Sequence, residues 1–114
     1  MDRIVGSSSL NMPKRIVVAL GELHDAYVYA QETSGNKWEF ATEIERLKEL
    51  GLHNNDLRWL VRMGLVKHMR EVTQEEEDGR TFRPTGDLVF PAGSCFVLTE
   101  DGVSVASFET PLER

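Results

Sequence analysis

The stretch Ala41-Thr42-Glu43-Ile44-Glu45-Arg46-Leu47-Lys48-Glu49-Leu50-Gly51-Leu52-His53-Asn54-Asn55-Asp56-Leu57-Arg58-Trp59-Leu60-Val61-Arg62-Met63-Gly64-Leu65-Val66 decides how this chain folds. Phe40, Ile44, Leu47 and Leu50 recur at steps of four and three, the spacing of a single apolar stripe on a helix. Glu43, Glu45, Arg46, Lys48 and Glu49 fall largely off that stripe, and Gly51 supplies a left-handed stop. After only Gly51-Leu52-His53, either Asn54 or Asn55 can cap a further helix. Leu57, Leu60 and Val61 face inward along it, and Gly64 ends it. Two helices joined so tightly form a helix-turn-helix over about residues 40–64.

Working upstream, Ile16, Leu20, Leu23, Tyr27 and Ala30 make a second helical stripe, widened by Val17 and Ala26. Pro13 suits the first turn of that helix because its missing N–H costs nothing there, and Asn11 is the candidate cap. Ser34-Gly35-Asn36 breaks the pattern. Lys37-Trp38-Glu39-Phe40 is then either a short strand or the first turn of the next helix, capped by Asn36 with Glu39 at the third position. Residues 1–12 carry few core-forming side chains and read as a flexible segment ahead of a domain spanning 13–110.

Downstream, residues 65–72 alternate roughly and read as a strand entering a hairpin that occupies about residues 65–98. Its connection, Thr73 to Gly93, holds the acidic run Glu75-Glu76-Glu77-Asp78 and several Gly and Pro residues, the composition of a solvated excursion that Leu88, Val89 and Phe90 can anchor. Ser94 to Leu98 is the returning strand. Thr99 caps a short last helix whose Glu100 and Asp101 suit a positive N-terminus, and the tail from Pro111 to Arg114 is expected to fray.

The segment from Ile44 and Leu47 through the turn Gly51-Leu52 to Leu57, Leu60, Val61 and Met63-Gly64-Leu65-Val66 resembles the helix-turn-helix of winged-helix bacterial regulators, including MarR-like ones. Phe96-Val97-Leu98-Thr99-Glu100-Asp101-Gly102 is similar to the return strand and following helix start of that family. The resemblance covers roughly residues 13–108 in element order, and it lies in pattern, not identity. It implies an α+β fold: a small winged helix-turn-helix domain with a three-helix core, a β-hairpin wing and a short C-terminal helix. The chain departs from the family in its longer excursion between the strands, acidic in its first half, and in its negative total charge.

Composition bounds the function. A chain of 114 residues with 40% apolar and 28% charged side chains is sized for one globular domain. Its apolar runs are far below the roughly 20 residues of a membrane span, and the N-terminus lacks a secretory signal pattern, so cytoplasm is the expected location. Cys95, the one cysteine, sits before Phe96-Val97-Leu98 and reads as a small core residue. No nucleophile elbow, phosphate-binding loop or paired Cys and His appears, so no catalytic residue is assigned. His24, His53 and His68 lie too far apart for a zinc motif, and no metal or cofactor is expected.

The net charge of −6 disfavours nonspecific attraction to a polyanion. Yet between His53 and Arg70 four basic residues, Arg58, Arg62, Lys67 and Arg70, stand against the single acid Asp56. If Leu57, Leu60 and Val61 face the core, then Asn54, Asn55, Arg58, Trp59, Arg62 and Met63 lie nearer the exposed side. Arg presents a planar fork matching guanine O6 and N7, and Asn one matching adenine N6 and N7. The resulting candidate surface for double-stranded DNA comprises Asn54, Asn55, Arg58, Trp59, Arg62 and Lys67, with Arg80 and Arg83 reaching from the hairpin tip. The competing expectation is a winged-helix protein-interaction module that binds no nucleic acid and engages a protein partner at the Trp59 face. Tyr29 lies roughly 200° around the helix from Tyr27 and marks helix one as a candidate homodimer surface.

Overall fold

The computed structural model describes residues 12–33 and 35–109. The expectations for the N-terminal segment and the fraying tail lie outside the described residues, apart from Met12. Helix α1 (Lys14–Thr33) begins directly after Pro13, whose carbonyl accepts the Ile16 and Val17 N–H groups at 3.0 and 3.2 Å. Ile16, Leu20, Leu23 and Ala30 of the expected stripe are buried, joined by Ala19. Tyr27 stays half-buried, stacked against His24.

Residues Lys37–Phe40 form a turn of 3₁₀ helix, neither a strand nor an α-helical turn. Asn36 does cap it, its side-chain oxygen accepting the Trp38 N–H at 3.1 Å. Strand β1 (Thr42–Glu43) follows, so α2 (Ile44–Glu49) is shorter than its apolar spacing predicts. The reason is long-range: Thr42 and Glu43 pair with Phe96 and Cys95 more than 50 residues away, and this ladder captures the backbone that a helix starting at Phe40 would need. Phe40 packs instead against the exposed Tyr29, ring centroids 6.0 Å apart.

Helix α3 (Asn54–Arg62) follows α2 through residues 50–53. Both helices close on a left-handed glycine, Gly51 at φ 103° and Gly64 at φ 75°, where a side chain would be strained. The following amides return to the helix, Leu52 N–H to the Leu47 carbonyl at 3.1 Å and Leu65 N–H to the Leu60 carbonyl at 3.0 Å. The α3 cap corrects the sequence reading. His53 occupies the cap position, Asn54 and Asn55 lie inside the first turn, and Asp56 accepts the His53 N–H at 2.7 Å.

Strands β2 (Val66–Glu71), β3 (Phe82–Arg83) and β4 (Ser94–Leu98) complete a four-stranded antiparallel sheet of order β1-β4-β2-β3. The excursion from Thr73 to Gly93 is therefore not wholly irregular, because Phe82 and Arg83 pair with Glu71 and Arg70. Central β4 is buried at all five residues, which explains the unbroken apolar run Cys95-Phe96-Val97-Leu98. Phe96 and Leu98 join Val66 and the helices in the main core. Cys95 and Val97 belong to a second cluster on the opposite face, with Ala41 and the half-buried Trp38 and Phe82. Of the proposed loop anchors, Phe90 packs on His68 and Phe96, whereas Val89 is exposed.

Helix α4 (Glu100–Glu109) is capped by Thr99, whose hydroxyl oxygen accepts the Gly102 N–H at 2.9 Å. Gly102 lies so close to the Leu65 carbonyl that an added Cβ would collide with it. The chain is thus an α+β domain of four α-helices and one antiparallel sheet over the described residues. None of these helices is long and apolar enough to cross a membrane.

Candidate nucleic-acid interface

Helix α3 buries Leu57 and Leu60 in the core, and its next residues by rotation emerge on the surface. Asn54, Asn55, Arg58, Arg62 and Met63 are exposed. Asn55, Arg58 and Arg62 follow at steps of three and four and line one face. The Arg58 guanidinium donates through Nη1 to the Asn55 Oδ1 at 2.9 Å. Trp59 is half-buried and packs on the core beside the start of α1. It lines a cleft of about 360 Å³ with Met12, Pro13, Ile16, Asn55 and Asp56.

One ion pair sets α3 against α1. Arg15 donates through Nε and Nη2 to the two Asp56 carboxylate oxygens at 2.9 and 3.0 Å, a bidentate fork. Those hydrogen bonds, with the His53 amide adding to them, hold the Asp56 carboxyl below its ordinary range against the opposing effect of burial. The same carboxylate therefore closes the first turn of α3 and ties it to the neighbouring helix.

The arginines among the described residues divide into two groups. Arg15 is bound to Asp56, Arg46 to Glu22 and Glu49, and Arg80 to Glu71. Arg58, Arg62, Arg70 and Arg83 are exposed and form no ion pair with any described residue. Arg58 and Arg62 sit one helical turn apart, where like charges repel by a few tenths of a kcal/mol. Arg70 and Arg83 are direct cross-strand partners, again a like-charge pair. Arg70 is in phase with Val66 and His68, which places this pair on the face of the sheet that the helical core covers.

Arg80 requires a correction, because it does not reach outward from a hairpin tip. Its guanidinium contacts Glu71 at 2.9 and 3.1 Å and donates to the Glu39 and Ala41 carbonyls at 3.0 and 3.1 Å. It also lies 5.2 Å over the Phe82 ring, on the sheet face opposite Arg70 and Arg83. Arg80 fastens the excursion to β2 and the 3₁₀ turn. Lys67 is exposed but out of phase with Arg70, so the two lie on opposite faces of β2. The structure brings Asn55, Arg58 and Arg62 together and separates Lys67 and Arg80 from the Arg70–Arg83 pair.

The acidic run stays in solvent. Glu75, Glu76, Glu77 and Asp78 are exposed, with Glu77 accepting the Gln74 N–H at 2.7 Å to close its own turn. Cys95 is buried beneath Arg80, and burial pushes its thiol up to about 12. Among the described residues no cluster of three His, Cys, Asp or Glu side chains is placed to hold a metal ion. Two participants escaped the sequence reading. Arg70 was visible only as charge until β3 placed Arg83 opposite it, and the partnership of Arg15 with Asp56 has no local signature across 41 positions.

The chain matches no protein-family model, and no curated protein or solved structure shows significant similarity to it.

Proposed function

We propose that this chain is a winged-helix DNA-binding domain of transcription-regulator type, working in the cytoplasm, that lays α3 in the major groove and braces the duplex with the β2–β3 pair. The observation that carries this reading is the pair Arg58 and Arg62 on the exposed face of α3, neither of which forms an ion pair with any described residue, in a chain with 19 acids and 13 basic residues. A surface with surplus carboxylates could pair these guanidiniums cheaply, as it does Arg46. Leaving two of them a helical turn apart fits a face that meets phosphates and base edges. The Arg70–Arg83 pair extends the same logic to the sheet, where contacts to the backbone would position the domain.

The element order supports the reading: α1, α2 and α3 are followed by antiparallel strands and a last helix, the order the sequence resemblance implies, with β1 as an addition to it. The test is a salt titration of binding to a random duplex-DNA pool, with retained sequences determined, for the native protein and for Arg58→Ala/Arg62→Ala. The native protein is expected to enrich a motif in a salt-sensitive manner, and the double variant to lose it. No retention at low salt by the native protein would defeat the proposal.

The second reading is a protein-interaction module. It is favoured by the net charge of −6 and by the half-buried Trp59 beside its cleft. Under it, Trp59→Ala weakens capture of a protein partner while Arg58→Ala/Arg62→Ala leaves capture intact.

A further inference from the structure

We infer that Asn55 and Arg58 act as one reading unit selective for guanine, an inference that rests on the DNA-binding reading above. Taken separately, the two side chains favour different bases. Asparagine recognises adenine by accepting from N6 and donating to N7, and arginine recognises guanine by donating to both O6 and N7. The structure couples them. Arg58 Nη1 donates to Asn55 Oδ1 at 2.9 Å, so the oxygen that would accept from adenine lies against a guanidinium.

That contact changes what the pair presents. An adenine N6 amino group approaching Asn55 Oδ1 would meet the donors and positive charge of Arg58. A guanine edge presents two acceptors, and the pair faces it with the Asn55 amide hydrogens and the remaining guanidinium donors. The bond also restrains the long Arg58 side chain before binding, which lowers the ordering cost of a bidentate contact. Neither side chain has an acid partner among the described residues, and both are exposed on the same face of α3.

The unit makes a prediction that independent readers do not. Arg58→Ala and Asn55→Ala should relax preference at the same motif position, and that position should be guanine. A good bidentate contact discriminates by about 1–3 kcal/mol, so replacing that guanine should weaken binding by about 5- to 150-fold for the native protein. Arg58→Ala should abolish the discrimination, and Asn55→Ala should reduce it several-fold without shifting it to another position.

The experiment is selection from a random duplex pool by the native protein, Asn55→Ala, Arg58→Ala and the double variant, followed by affinity measurement on the selected duplex and its single-base substitutions. Far-UV circular dichroism verifies that each variant keeps its helices. Loss confined to one guanine, with a non-additive double variant, is the expected result. Two separate positions, or an adenine lost in Asn55→Ala, would overturn the unit while leaving DNA binding in place. Failure of the folded native protein to retain any duplex would overturn both the unit and the reading beneath it.

Discussion

Arg15 and Asp56, 41 positions apart, are joined by two parallel hydrogen bonds of 2.9 and 3.0 Å, and the acid of this pair also closes the first turn of α3. One carboxylate thus governs both the start of the helix and its seating on α1. Asp56→Ala removes the acceptor of the His53 N–H and leaves Arg15 without its acid, and it should lower the unfolding free energy by about 2 kcal/mol in urea denaturation. A change indistinguishable from zero would show that the pair merely decorates the surface.

Acidification should weaken this pair in a defined window. The folded Asp56 carboxyl lies below its ordinary value of 3.8, so its contribution is fully present above that value and disappears as pH falls through the folded one. Glu22 and Glu71 are lowered in the same sense by Arg46 and Arg80. Urea midpoints measured from pH 6 to pH 2 should fall for the native protein, and fall less steeply for Asp56→Asn, which has no proton to gain at that position.

Gly102→Ala sets two effects of opposite sign against each other. Alanine favours a helix over glycine by about 1 kcal/mol, but the added Cβ collides with the Leu65 carbonyl, which is backbone and cannot swing aside. Overpacking typically costs about 1–3 kcal/mol. The net expectation is a lower thermal midpoint, and a higher one would mean that α4 can move away freely.

Arg80 and Arg83 are three residues apart and should behave oppositely. Arg80→Ala strips Glu71 of its cationic partner and frees the Glu39 and Ala41 carbonyls, so it should destabilise the fold by about 2 kcal/mol. Arg83→Ala should leave stability within about 0.5 kcal/mol, because the residue is exposed and forms no ion pair with any described residue. If the sheet braces DNA, Arg83→Ala should also reduce the logarithmic salt dependence of binding by about one. A reversed pattern would contradict the placement of the two side chains.

Cys95 should resist alkylation in the native protein at pH 8, since burial holds its thiol near 12 and keeps reagents out. Reaction with a small thiol reagent should become fast only in denaturant. Rapid labelling of the folded chain would place the thiol at the surface.

Much of the helical framework was legible locally. Ile16, Leu20 and Leu23 announced α1 through their period, and Gly51 and Gly64 marked the ends of α2 and α3, because a left-handed residue is a property of the backbone at one position. The exposed line of Asn55, Arg58 and Arg62 followed from knowing which residues of α3 face the core. The start of α2 was not legible, since Phe40 keeps helical step with Ile44 while β1 is made by pairing with β4.

Local periodicity and turn chemistry therefore determined where this chain forms α1 and ends α2 and α3, and which side of α3 remains in water, because those choices depend on residues within a few positions of one another. Only the tertiary structure decided that Phe82 and Arg83 form a strand, that Arg80 belongs to Glu71 and Arg83 faces Arg70, and that Asp56 belongs to Arg15. Cross-strand register and ion pairing couple positions that lie far apart in the chain, and nothing in the neighbourhood of either partner specifies which distant residue it will meet.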